Sequence, residues 1–337
     1  MKLYSFSQKV SNIFKENKNI NQLKEISKYS LTSRNCVCGE SSGTIIYDKD
    51  RYGLELDFIL CKECGIVRIA DKLSDKDLTH FYETHYRRLY FDMEEPSDSL
   101  VQNEQRPRGR AIVKIFRSEN IELKYKKVLE IGAGAGGILD EFYSEGAITT
   151  AYEPSKKYCE YMRSFTSHHV IEGMFSSSSK DRLNQMQFNI IIISHVLEHV
   201  NEPKEFLLNA MKYLTPNGVL YIEVPSLTNI GLANDHLLDY FHVAHPWSFN
   251  KSGLLRMCND INLSPVYQDN VIRVILANNS KTHRAVNCKP GIVFLGLIFQ
   301  DILSRLGLLG FKRKILIKLT NIIPKEIKEF LKKFLNA

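Results

Sequence analysis

The sequence predicts an α/β protein: a doubly wound parallel sheet, preceded by a small cysteine-rich module and followed by a basic amphipathic helical tail. Three observations carry this reading. From Ile121 onward, short apolar runs alternate with helical segments, the pattern of repeated strand–helix–strand units. One of those runs, residues 128–131, ends in Gly132-Ala133-Gly134-Ala135-Gly136-Gly137. Four of the seven cysteines fall in one short stretch, as Cys36-x-Cys38 and Cys61-x-x-Cys64.

Length and composition bound the rest. A chain of 337 residues can bury a full core and carry a small extra module. Apolar residues make up 44% and charged residues 25%, and there is neither a secretory apolar region nor a run long enough to span a bilayer, so a cytoplasmic protein is expected. The net charge of +7 is unevenly placed. Residues 291–337 hold nine lysines and arginines against three acids, and residues 1–30 hold six against two, which leaves the body slightly acidic. Such a body is not built to grip phosphodiester backbones.

Residues 1–33 alternate apolar and Lys/Asn-rich positions, as in a short amphipathic extension marked by Ile13, Phe14, Leu23 and Ile26. Residues 34–70 read as a zinc-ribbon-like module with strands near 44–47, 54–60 and 66–69. In a reducing compartment, four clustered thiols suggest metal before disulfide, and Cys36, Cys38, Cys61 and Cys64 can converge tetrahedrally on Zn²⁺. Gly39 and Gly65 follow the second cysteine of each pair, where a knuckle must turn. The first pair is irregular, because Asn35 stands where the first ligand of a regular ribbon would be. Unligated buried thiols are the plain alternative, and the preferred reading for Cys159, Cys258 and Cys288. Residues 71–120 form an aromatic connecting segment, dense in rings and arginines between Leu78 and Tyr90, suited either to covering a site or to packing between domains.

The domain over residues 121–280 is expected to place strands near 127–131, 148–152, 169–171, 188–193 and 218–224, with a closing hairpin near 265–268 and 271–276. Ligands bind beyond the carboxyl ends of such strands. After the first strand, glycines allow close backbone approach to a ligand, and the next helix offers free N–H groups. Gly132, Gly134 and Gly137 fit a dinucleotide pattern, while Gly132, Gly134 and Gly136 after Glu130 fit an S-adenosylmethionine pattern. The second strand leads to Glu153, a carboxylate placed to accept from ribose hydroxyls with either cofactor. In residues 281–337, Gln300, Asp301, Ser304 and Arg305 fall on one face of an apolar helix expected to lie along a surface. A second, lysine-rich helix after Pro324 would suit peripheral contact of residues 291–337 with an anionic membrane, or cover the catalytic domain.

The motifs Ser194-His195-Val196-Leu197-Glu198-His199-Val200 and Leu214-Thr215-Pro216-Asn217-Gly218, in this order after the glycine turn and Glu153, resemble those of class I S-adenosylmethionine-dependent methyltransferases. The resemblance implies a seven-stranded Rossmann-like domain and S-adenosylmethionine as cofactor, held by Glu130, Gly132, Gly134, Gly136, Glu153, Met174, Phe175 and Ser194. Many relatives carry an acid after the third strand where this chain has Met174 and Phe175, which would then sandwich the adenine. Together with the cysteine-rich module and the segment Phe241-His242-Val243-Ala244-His245, the arrangement is similar to sugar methyltransferases of deoxysugar and surface-polysaccharide pathways. That similarity implies His245 as general base, His195 beside the acceptor, and Tyr82, Tyr86, Glu223 and His242 lining the acceptor site. Phe241 and Val243-Ala244 replace a tyrosine and a glutamate expected there, which favours O- over C-methylation. Glu198 and His199 read as structural.

The expected function is therefore methylation of a sugar, nucleotide sugar or glycan, with a small-molecule or lipid-linked acceptor. An RNA base methyltransferase lacks its usual Asn-Pro-Pro-aromatic turn at 194–197 and a basic body. A non-catalytic scaffold would keep the fold without the chemistry, and a dehydrogenase is disfavoured by the fourth- and fifth-strand motifs.

Overall fold

The computed structural model describes residues 29, 31–86, 96–176, 180–228, 237–278 and 286–305. Residues 1–28 of the extension expected over 1–33, and residues 306–337 with the second helix expected after Pro324, lie outside the described residues, as does Tyr90.

The cysteine-rich region is antiparallel. β1 (Leu31–Ser33) pairs with β5 (Asp71–Leu73), and β2 (Gly43–Lys49), β3 (Glu55–Cys61) and β4 (Val67–Ile69) form successive antiparallel neighbours. Helix α1 (Asp75–Thr84) starts at Ser74, whose hydroxyl accepts from the Asp77 amide. Residues 98–105 then lead through a π-turn into α2 (Arg106–Ser118).

The central sheet is built from β6 (Lys127–Ile131), β7 (Ile148–Glu153), β8 (His169–Glu172), β9 (Phe188–Ser194), β10 (Leu214–Glu223), β12 (Leu263–Gln268) and β13 (Arg273–Asn278). Their order across the sheet is β8-β7-β6-β9-β10-β13-β12. The first five are mutually parallel, and β13 and β12 close the edge antiparallel. The four isoleucines of β9, Ile190 to Ile193, are buried because both faces of a parallel strand are covered. Helices α3 (Gly137–Ser144), α4 (Lys156–Phe165) and α6 (Pro203–Met211), with the short α5 (Lys180–Leu183), make the crossovers. This matches the expected seven-stranded doubly wound fold. One boundary moves: the Leu214-x-Pro216-x-Gly218 turn lies inside β10, absorbed by a register shift between Leu214 and Val219. Asn189 is structural, its side chain accepting from the Lys127 amide at 2.9 Å.

The cysteine-rich module is not a separate bead. The short strand β11 (Trp247–Ser248), downstream of the catalytic sheet's fifth strand, pairs antiparallel with β4, Trp247 facing Arg68. A sheet of order β11-β4-β3-β2 therefore crosses the boundary read at residue 70. Cys36, Cys61, Cys64 and Ile66 share one core with Leu254, Met257 and Cys258 of and beside α7 (Lys251–Asn259).

The first tail helix, α8 (Pro290–Arg305), also packs onto the body. Val293 and Leu297 are fully buried beside Ile46, Phe58 and Phe241. Gln300 and Asp301, read from sequence as a polar face lying along a surface, are buried as well. Gln300 donates to the Thr228 carbonyl at 3.3 Å, and the Tyr47 hydroxyl donates to Asp301 at 3.2 Å. Their polarity serves partners inside the protein, which a helical-wheel pattern cannot distinguish from water.

Candidate active site

The site lies where β6 and β9 part company: the chain leaves β6 toward one side of the sheet and β9 toward the other, opening a crevice at their carboxyl ends. On one wall, Gly132 (φ +76°) and Gly134 (φ +57°) adopt left-handed backbone that ordinary side chains resist. A Cβ on Gly132 would come within 2.5 Å of Val196, and one on Gly134 within 2.5 Å of the Gln105 amide. The Gly134 N–H donates to Glu153 Oε2 at 2.9 Å and the Ser155 N–H to Oε1 at 3.0 Å, so Glu153 is fixed at the tip of β7. Below the turn, Glu130 is buried with Oε2 lacking a hydrogen-bond partner, and burial pushes its carboxyl well above the usual range. A glycine cradle that a Cβ would fill, an anchored carboxylate and an orphaned buried carboxyl fit S-adenosylmethionine, with its ammonium and ribose hydroxyls as donors.

Two expected cofactor residues have partners inside the protein. Phe175 is core, edge-on to Tyr152 at 5.5 Å and to Phe206 at 5.2 Å, so it does not sandwich a ligand ring; only Met174, 42% exposed, is available after β8. Ser194 donates to Glu223 at 3.3 Å. Sequence reading missed the covering segment that leads into and begins α2. Gln105 accepts from the Gly137 N–H at 3.0 Å, and the charge of Arg108 is felt at Glu130, His195 and Glu223. Neither carries a motif; only the fold brings them over the glycine turn.

The opposite wall gathers ionisable groups. His195 leaves β9 with φ +55°, a strained conformation for a non-glycine residue, held by its N–H donating to the Glu223 carbonyl at 2.9 Å. Its ring stands 3.4 Å from Glu198 and 3.8 Å from Glu223. Burial alone would lower the His195 pKa, but the two carboxylates outweigh it and raise it to about 9. Burial in turn raises Glu223, yet His195 holds it below the ordinary carboxylate range. Tyr221 also donates to Glu223, at 3.1 Å.

His199 Nδ1 bonds the Ala244 carbonyl at 2.7 Å, so Nδ1 carries the proton and Nε2 presents a lone pair. The His199 and His245 rings are 4.7 Å apart, and those of His242 and His245 3.8 Å. Burial, then mutual repulsion among the histidines and Arg51, pushes His242 and His245 well below the ordinary histidine pKa, so both are neutral at pH 7. Tyr82 donates to the carbonyls of Ala244 (3.2 Å) and His199 (3.3 Å), and Tyr86 packs against the His199 ring at 5.4 Å. The sequence-derived acceptor set, His195, His242, His245, Glu223, Tyr82 and Tyr86, thus converges. Glu198 and His199, read as merely structural, stand among them: ligand atoms of Glu198, His199 and His245 lie within 4.8 Å of one another, close enough to hold a proton or a divalent cation.

The second such cluster is Cys36, Cys38, Cys61 and Cys64, with Cys36–Cys64 sulfurs 3.4 Å apart and Cys38–Cys61 sulfurs 3.5 Å apart. The irregular first pair still closes, because Gly39 (φ +91°) turns the chain back so that its N–H donates to the Cys36 carbonyl at 2.8 Å. Hydrogen bonds from Cys36 and Cys64 pull Cys61 toward thiolate, and Cys36, hydrogen-bonded to Cys61 and buried, is pushed up to about 12.

Comparison with known proteins accords with the cofactor wall. The profile of a family described as "Methyltransferase domain" matches residues 100–268. The mitochondrial ubiquinone biosynthesis O-methyltransferase of Schizosaccharomyces pombe is 33% identical over 122 residues, 35% of this chain and 44% of that protein. Its counterpart in Rickettsia bellii is 25% identical over 118 residues, 35% of this chain and 49% of that protein. The chain spans about half the length of the curated relatives it matches. Among solved structures, the 1,6-didemethyltoxoflavin-N1-methyltransferase of Burkholderia thailandensis, solved with S-adenosylhomocysteine, aligns with a TM-score of 0.45 at 14% identity, over 64% of this chain and 94% of that one. The names of the curated relatives overturn the expected sugar, nucleotide-sugar or glycan acceptor: they are ubiquinone biosynthesis O-methyltransferases.

Calorimetry with S-adenosylmethionine tests the cradle. Gly134→Val is expected to abolish binding and Glu153→Ala to weaken it by about 1.5–3 kcal/mol, the scale of hydrogen bonds to a charged group. Unchanged affinity in both variants would place the cofactor elsewhere.

Proposed function

Since the chain belongs to the methyltransferase domain family, whose chemistry is methyl transfer from S-adenosylmethionine, we propose that its acceptor is a ring hydroxyl of a quinone precursor. The names of its curated relatives support this acceptor class. The observation in this chain that carries it is the division of charge across the site: a protonated His195 between two carboxylates, facing a neutral His245 in an aromatic setting. Bound at the glycine cradle, S-adenosylmethionine supplies an activated methyl group for in-line displacement by oxygen.

A phenolic hydroxyl, with a pKa near that of tyrosine at about 10, is a poor nucleophile at neutral pH until its proton is removed. His245 accepts that proton. The neutral ring is available because burial and the nearby positive charges disfavour its imidazolium. His195, its imidazolium held between Glu198 and Glu223, sets a positive charge beside the developing phenolate, while Tyr82, Tyr86 and His242 enclose the ring and exclude water. Alignment accounts for the remainder of the rate.

His245→Gln should lower turnover roughly 10²–10⁴-fold with little change in cofactor affinity, the contribution of a positioned base. The pH profile separates the two histidines. His195 is protonated below about pH 9 and loses its charge as pH rises through that value, so wild-type turnover should fall above pH 9 and His195→Gln should lack that limb. Normal turnover of His245→Gln between pH 6 and 9 would refute the base assignment.

The four cysteines are proposed to hold one structural Zn²⁺. The all-thiolate donor set suits zinc and leaves no open coordination position for chemistry. Metal analysis of protein purified without chelator should find one zinc per chain, lost together with thermal stability in Cys61→Ser; metal-free wild-type protein of the same melting temperature would contradict the site.

Peripheral contact with an anionic membrane, expected for residues 291–337, is proposed for the part of them beyond α8, residues 306–337, whose lysines and apolar positions suit such a surface. Among the described residues no helix is long and apolar enough to cross a membrane. Removing residues 306–337 should abolish sedimentation with phosphatidylserine vesicles while sparing cofactor affinity. Removing residues 290–337 should also destabilise the body, because Val293 and Leu297 are buried in it. Sedimentation that survives the shorter deletion would refute the membrane contact.

A further inference from the structure

We infer that the cysteine-rich module is the scaffold of the proton-accepting loop, and that Asp50, at the turn of its β2–β3 hairpin, is a positioning residue that sets His245 through the Val243 amide. The inference deepens the proposed role of His245 and rests on it.

The loop from Phe241 to Ser248 contributes two histidines to the site, yet it has little secondary structure of its own. Its backbone polar groups are satisfied from outside, chiefly by the N-terminal module. The Arg51 N–H donates to the Phe241 carbonyl at 2.9 Å, the Val243 N–H to Asp50 Oδ2 at 3.2 Å, and the Ile69 N–H to the Pro246 carbonyl at 3.0 Å. Trp247 and Ser248 then pair with Arg68 and Val67. Within the loop, only the bond from the His245 N–H to the His242 carbonyl, at 2.9 Å, closes the turn. Phe241 anchors one end, its ring 5.2 Å from both Tyr47 and Phe58 of the module. This explains why an apolar ring stands at 241, beside the catalytic histidines.

Asp50 is the pivot of these contacts. It is 1% exposed. Oδ1 accepts from the Tyr52 N–H at 2.8 Å and the Leu54 N–H at 2.9 Å, which fixes the hairpin turn, while Oδ2 reaches across to Val243. One carboxylate thus joins the turn of the module to Val243, which follows His242 and stands two residues before His245. An asparagine there can keep the turn through its oxygen, but its NH₂ would face the Val243 N–H, donor against donor. The substitution therefore separates the turn from the loop.

The test compares wild-type full chain with Asp50→Asn, using amide hydrogen exchange and turnover with catechol as probe acceptor. Exchange at Val243 and His245 should rise at least tenfold in Asp50→Asn, while amides of β6 and β9 and the affinity for S-adenosylmethionine stay unchanged. Turnover should fall at least tenfold at similar KM, and in a His245→Gln background Asp50→Asn should add less than twofold, since both changes act on one group. Unchanged exchange at Val243 and His245 overturns the inference whether or not catechol is turned over, as does an equal fold-loss of turnover in both backgrounds. Normal turnover of His245→Gln alone refutes the base assignment instead. Should Asp50→Asn not fold, exchange in the wild type decides: Val243 protected as strongly as Ile69 supports the inference, and Val243 exchanging like free loop overturns it.

Discussion

The parting of the chain between β6 and β9 is the constraint on which the rest depends. Two adjacent parallel strands send their following segments to opposite faces of the sheet, and the crevice between them cannot be closed by either. One lip must then come close to a ligand, which requires glycine at 132 and 134; the other projects side chains inward from a strained turn at His195. The cofactor wall and the acceptor wall are two consequences of one strand order.

The electrostatics of the acceptor wall follow from how few carboxylates are shared among many histidines. Glu198 and Glu223 both face His195, which is therefore the group that keeps its proton. Burial lowers both His242 and His245, Arg51 and His199 disfavour charge on either ring, and His242 and His195 disfavour it further on His245. Burial leaves His242 and His245 neutral, whereas the two carboxylates overcome it at His195. The same low-dielectric setting keeps the Tyr82 phenol protonated, by burial first and then by Tyr86 and Glu198, so it serves as a donor to two carbonyls rather than as a base.

The cysteine centre belongs to this economy of support. It lies in one core with α7, and Asn250 at the start of that helix donates from its side chain to the Cys64 carbonyl at 3.1 Å. Whatever holds the four sulfurs together also holds the sheet whose last strand, β11, follows the histidine loop. The module can therefore influence chemistry through the backbone it supports.

What the sequence determined by itself was local and periodic. The alternation of apolar runs located all seven strands of the main sheet within a few residues, because a buried parallel strand is written as a continuous apolar stretch. The glycine turn, Glu153 and the cysteine pairs were legible because each needs particular residue types at fixed spacing. What only the tertiary structure decided was convergence and burial. The helical wheel of α8 showed polar residues at 300 and 301 but not that Tyr47 and Thr228 would meet them; the third-strand end showed Phe175 but not that Tyr152 and Phe206 would enclose it. Gln105, Arg108 and Asp50 carry no motif, and Glu198 and His199 had only a structural reading. These residues gain their roles from neighbours distant in sequence, and residue spacing along a chain carries no record of which distant groups will share one low-dielectric pocket.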